Sequence, residues 1–163
     1  MNFTNLNLLF IYIKEILVIY TKKLKTITLK VKEEPELRTA SNSRSAYEIA
    51  SNIYRNLSDD QEHFCVLFLN NANKITGFKV LFSGGMNAAT VDLKVVFRNA
   101  ILFGARSLIL VHNHPSNTLT ASQEDIKLTQ EIKQAGKLLG IKILDHIIIT
   151  NNSYLSMADE AII

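Results

Sequence analysis

The chain has 163 residues, 47% of them hydrophobic and 20% charged. That is one domain's length with enough apolar material for a real core, and it excludes wholesale disorder. The formal net charge of +3 is unevenly placed: residues 1–45 carry eight Lys/Arg against four Asp/Glu, whereas residues 46–163 carry ten against eleven. The bulk of the chain is thus near neutral, which weakens any nucleic-acid role that needs a basic face.

The first twenty residues are rich in Leu, Ile, Phe and Tyr. A secretory leader wants positive charge before its apolar stretch and small residues at a cleavage site, and neither is present. Lys14-Glu15 cuts the run well short of the roughly 20 apolar residues needed to span a bilayer. The expectation is a cytoplasmic protein without a membrane partner. Ile27, Leu29 and Val31 alternate with polar residues over 26–32, which predicts a short strand. The polar stretch 33–43, with Pro35, reads as a linker. Residues 1–43 are accordingly an N-terminal arm and linker, and residues 44–163 the domain.

From Ser45 the period becomes helical, with Ala46, Ile49, Ile53 and Leu57 on one stripe and Ser43 or Ser45 placed to cap it. An acidic break, Ser58-Asp59-Asp60-Gln61-Glu62, leads into 64–69, which is apolar on both faces and reads as an inner strand. A turn at 70–73 and an apolar run over 75–82 predict an antiparallel hairpin. Residues 91–103 are helical, with Gly104 as a stop. An aliphatic strand over 107–111 delivers His112. Leu128, Ile132, Ala135 and Leu139 then form the stripe of a helix that ends near Gly140. Residues 141–150 are a further strand, and 154–156 a short edge. This order predicts an α/β fold in which helices flank a mixed central sheet, with a site beyond the C-terminal end of the 107–111 strand.

The chemistry is concentrated in residues 112–125. Side chains two apart on extended backbone share a side, so His112 and His114 converge. Pro115 stops the strand, and the next helix starts with Asp125 in its first turn. Two imidazoles and a carboxylate suit Zn²⁺ and leave a fourth position for water. Ser122-x-x-Asp125 also reads as a capping box. A hydrolytic zinc site needs a base; of Asp59, Asp60 and Glu62, Glu62 lies nearest the strand and reaches furthest. Cys65, the lone cysteine, excludes an internal disulfide and any cysteine-built zinc site, and it reads as a buried apolar residue. His63 alternates away from Glu62 and reads as structural. Asp145 and His146, inside an apolar strand, are either supports for the metal ligands or a satisfied core pair, with the core pair favoured.

His112-x-His114-x₇-Ser122-x-x-Asp125 with an upstream glutamate resembles the JAMM motif of the JAB/MPN+ metalloproteases. His-Asn-His-Pro-Ser at 112–116, Ala-Gly-Lys-Leu-Leu-Gly at 135–140 and Leu-Asp-His-Ile-Ile-Ile at 144–149 resemble its RadC branch. The resemblance covers about residues 44–163 and implies a cytidine-deaminase-like fold with one zinc per chain on His112, His114 and Asp125. It further implies Glu62 as general acid/base, Ser122 as donor to the oxyanion, and a protein or peptide substrate cleaved at a peptide or isopeptide bond. Four positions depart from the family pattern: Asn117 where Gly is common, Ala121 where Pro is common, and Leu93-Lys94 where a Pro-Arg pair often stands. The helix-hairpin-helix module of longer members needs a hairpin glycine, and the first glycine here is Gly77, so that module is not expected. Two other readings accompany the resemblance: a DNA-repair-associated accessory using the basic arm, and a non-catalytic interaction scaffold. A nucleoside deaminase is excluded, since its Cys-x-x-Cys ligand pair is lacking.

Overall fold

The computed structural model of the chain describes residues 10–13, 16–20, 25–26, 39–84 and 91–163. The chain divides into two units, Met1–Glu36 and Leu37–Ile163. In the first, β1 (Phe10–Ile13) and β2 (Ile16–Tyr20) pair antiparallel with Ile13 opposite Ile16, and β3 (Lys25–Thr26) pairs antiparallel with β2. The predicted strand over 26–32 lies, past Thr26, outside the described residues, as do residues 33–38 of the predicted linker.

The second unit runs α1 (Ser43–Tyr54), β4 (His63–Leu69), β5 (Ile75–Ser83), α2 (Leu93–Leu102), β6 (Ser107–Asn113), α3 (Gln123–Leu139), β7 (Lys142–Ile149) and β8 (Tyr154–Ser156). Its five strands lie in the order β5-β4-β6-β7-β8. Only β6 and β7 are parallel, and α3 is the crossover that such a pair requires. The result is the mixed α/β sheet expected from the sequence.

Alternation sorts the side chains into two apolar layers. Phe64, Val66 and Phe68 of β4, with Leu108 and Leu110 of β6, pack against α2 and α3. Cys65, Leu67 and Leu69, with Ile109 and Val111, pack against α1. Every residue of β4 is buried, because helices cover both of its faces. His112 continues the Leu108–Leu110 side and so enters the layer beneath α3. Across the β4–β6 ladder it registers against Phe64.

Local chemistry sets the element ends. Asn42, not Ser43 or Ser45, caps α1: its side chain accepts from the Ser45 N–H while Ser45 Oγ donates to the Asn42 carbonyl. The helix ends at Tyr54, so Leu57 lies beyond its stripe. Ahead of that cap the chain is already held by the domain, since Thr39 bridges Lys74 and the Ala40 N–H donates to the Asn73 carbonyl. On α3 the stripe is Leu128, Ile132 and Gly136, and Leu139 turns out to solvent. Gly140 ends α3 at φ +68°, a conformation glycine takes without a Cβ clash. Among the described residues no helix is long and apolar enough to cross a membrane.

Candidate metal centre

His112 stands near the end of β6 with no solvent exposure, and His114 follows just past the strand. The loop after them is built to hold the second ring. Asn117 takes φ +59°, so the residue that replaces the family's glycine adopts the left-handed turn that Asn tolerates. Its N–H donates to the His114 carbonyl and its side-chain oxygen accepts from the Asn151 N–H. His114 Nδ1 lies 2.7 Å from the Thr118 carbonyl oxygen. A carbonyl only accepts, so Nδ1 carries the proton and Nε2 presents a lone pair.

Asp125 reaches the same point from the first turn of α3. Ser122 caps that helix, and the capping box is complete: Asp125 N–H donates to Ser122 Oγ at 3.0 Å, and Ser122 N–H donates to Asp125 Oδ2 at 2.8 Å. Ser122 Oγ also donates to Oδ2 at 2.6 Å. With Oδ2 engaged by Ser122, Oδ1 faces His112 Nε2 at 3.3 Å. Capping therefore engages Oδ2 and leaves Oδ1 turned toward the imidazoles.

One ligand atom each from His112, His114 and Asp125 lies within 4.8 Å of the others. His112 Nε2 is 2.9 Å from His114 Nε2, which is 3.8 Å from Asp125 Oδ2. A tetrahedral ion with bonds of about 2.0–2.1 Å sets its ligands about 3.3 Å apart, which is the separation of His112 Nε2 from Asp125 Oδ1. Burial lowers the pKa of His112 to about 4, with the nearby His114 ring acting the same way and Asp125 opposing both. At neutral pH His112 is therefore an unprotonated, electron-rich ligand. The donor set fits a metal ion, and among the described residues no other group of three such side chains converges.

Glu62 is half-buried and immediately precedes β4. Two residues on, Phe64 registers against His112, so alternation places Glu62 on the His112 side of the sheet. Its flanking backbone is clamped. Asn113 Oδ1 accepts from the His63 N–H at 2.6 Å, and Asn113 Nδ2 donates to the Gln61 carbonyl at 2.9 Å. The Glu62 carbonyl accepts from the Gly84 N–H. His63 itself faces away, bonded to Ser83 Oγ and to Ser58, the structural role expected of it.

Asp145 and His146 are both buried, and they divide between the two readings the sequence left open. Asp145 Oδ2 accepts from Ser156 Oγ and its Oδ1 from the His146 and Ala158 N–H groups, so the carboxylate ties β7 to the C-terminal turn. Burial raises its pKa. The His146 ring points instead to His112 and α3: its Nε2 is 2.8 Å from His112 Nδ1, and its Nδ1 is 2.6 Å from Thr129 Oγ1. Sequence reasoning missed Asn113, Thr118 and Thr129. Only Thr129 carried a usable signal, standing one helical turn after Asp125 on the same face.

Comparison with known proteins places this geometry in a family. Residues 40–162 match the RadC-like JAB domain. A UPF0758 protein of Flavobacterium johnsoniae is 44% identical over 127 residues, covering 78% of this chain and 55% of the relative. One from Methanosarcina mazei is 39% identical over 132 residues, covering 80% of this chain and 56% of the relative. A third, from Carboxydothermus hydrogenoformans, is 46% identical over 100 residues, covering 61% and 44%. The chain thus spans about half the length of these curated relatives. On the extent of the match, the chain belongs to the RadC-like JAB domain family.

Proposed function

We propose that this chain is a zinc-dependent metallopeptidase acting on peptide or isopeptide bonds of a protein or peptide substrate in the cytoplasm. The observation that supports it most is the convergence of His112, His114 and Asp125, within 4.8 Å, from the end of β6 and the first turn of α3. Two imidazoles and one carboxylate favour a borderline cation and leave a ligand position open. A zinc ion held there supplies Lewis acidity, which polarises an amide carbonyl and acidifies a water.

The protein's own groups supply the proton transfers. Glu62 takes a proton from the attacking water as its oxygen bonds to the amide carbon, then returns it to the departing amine as the C–N bond breaks. Ser122 Oγ has one proton, which it gives to Asp125 Oδ2 in this structure. Its role as oxyanion donor requires that O–H to turn toward substrate. Ser122 N–H still holds Oδ2 when it does so.

The test is zinc content and peptide hydrolysis by the full chain. One zinc per chain is expected by elemental analysis, together with cleavage of a peptide library read by mass spectrometry. Glu62→Gln should keep the zinc and lose about 10²–10⁴-fold in rate. A protein that rejects added Zn²⁺, or a Glu62→Gln variant with undiminished cleavage, overturns the reading; the first outcome would favour an interaction scaffold.

A further inference from the structure

We propose that His146 and Thr129 are positioning residues that form a one-way hydrogen-bond relay, fixing His112 in the tautomer that presents Nε2 to the metal. The inference rests on the metal site proposed above and adds two residues that touch no ligand position themselves.

The direction of the relay follows from its last member. Thr129 Oγ1 lies 2.6 Å from the Asp125 carbonyl oxygen and 2.6 Å from His146 Nδ1. The carbonyl can only accept and the hydroxyl has one proton, so Thr129 donates to Asp125 and accepts from His146 Nδ1–H. A neutral imidazole has a single N–H, which leaves His146 Nε2 as an acceptor. The group facing that acceptor at 2.8 Å is His112 Nδ1, which must therefore donate. His112 then has its lone pair on Nε2, the atom 2.9 Å from His114 Nε2 and 3.3 Å from Asp125 Oδ1. Neither His112 nor His146 has any solvent exposure, so no water competes for these bonds, and the His146 nitrogens meet only Thr129 Oγ1 and His112 Nδ1, with no carboxylate on the ring to hold a buried imidazolium.

The relay also has a mechanical consequence. It starts on the ring of one ligand, crosses from β6 to β7, and returns through α3 to the backbone of another ligand, Asp125. Phe64 sets its ring edge against His146 with centroids 5.9 Å apart and nearly perpendicular planes, which limits rotation of the middle member. His112 and Asp125 are thus held to each other by protein groups on the side away from the metal. Such partners of ligating histidines typically change metal affinity 10–100-fold when removed.

Thr129→Val keeps the branched shape and removes the acceptor. It is expected to weaken Zn²⁺ binding 10–100-fold in competition with a chromogenic chelator. Nitrogen-15 NMR of the histidine side chains should then show His146 moved to the Nε2–H tautomer. Thr129→Ser, which restores the hydroxyl, should bind Zn²⁺ within about threefold of the parent, a rescue expected if the hydroxyl is what matters. The zinc-loaded parent chain gives a readout that no variant's folding can confound: Nδ1–H is expected on both His112 and His146. Nε2–H on His146 in the parent, or full affinity with unchanged tautomers in Thr129→Val, overturns the relay. A parent chain that takes up no Zn²⁺ overturns the metal site itself, a separate and distinguishable result.

Discussion

At the scale of single residues the middle of His112-Asn113-His114 carries a second task. On extended backbone Asn113 points opposite to its neighbours, and from there it bridges the Gln61 carbonyl and the His63 N–H. The strand end that supplies the two imidazoles therefore also holds the backbone on either side of Glu62. Asn113→Ala removes both bonds and leaves two backbone groups to find water. The expected cost is about 1–3 kcal/mol of stability, with Zn²⁺ affinity unchanged and peptide cleavage reduced because Glu62 is no longer held. Denaturant titration, chelator competition and a cleavage assay separate the three effects. A parallel loss of zinc would place Asn113 in ligand support instead.

At the scale of elements the C-terminal end of α1 is pinned to the sheet by the Tyr54 hydroxyl. Tyr54, the last residue of α1, donates to the carbonyls of His63 on β4 and Val111 on β6 at 2.9 and 3.0 Å. Burial raises its pKa well above the ordinary 10.0, helped by the neighbouring Cys65, whose own thiol burial pushes up from 9.0 to about 12. Between pH 9 and 12 the unfolded chain releases protons that the folded chain keeps. Stability is therefore whole below pH 9 and declines as pH rises through that window. Tyr54→Phe is expected to lose about 1–3 kcal/mol at pH 7 and to decline less steeply in alkali, as read from denaturation midpoints across pH. An unchanged alkaline slope would mean that Tyr54 does not stay protonated in the folded state.

At the scale of the whole molecule the unit Leu37–Ile163 contains both apolar layers, the five-stranded sheet and the three candidate ligands. The family match begins at residue 40, close to the start of that unit. A chain beginning at Leu37 is expected to unfold cooperatively and to bind Zn²⁺ with the affinity of the full chain. Calorimetry and chelator competition check this. Loss of cooperativity on removing residues 1–36 would show that the first unit contributes to the domain's stability.

Much of this protein was determined by local pattern. The all-apolar run at 64–69 had to be an inner strand, because no exposed face is available in it. The strand-Pro break-helix order of 107–125 had to bring His112, His114 and Asp125 near one another, because alternation and helix starts are short-range rules. The tertiary structure decided what no repeating pattern encodes. Asn42 took the cap of α1, its side chain accepting from the Ser45 N–H while the Ser45 hydroxyl donates back to its carbonyl. Gly136 is required because a Cβ there would meet the Ile141 carbonyl oxygen at 2.5 Å, a contact no periodicity reveals. His146 sits 34 residues from His112 in sequence and 2.8 Å from it in space. Inside an apolar strand it looked like a polar group in need of any partner. Only the parallel pairing of β6 with β7 and the placing of α3 over both made that partner His112 of the candidate metal site.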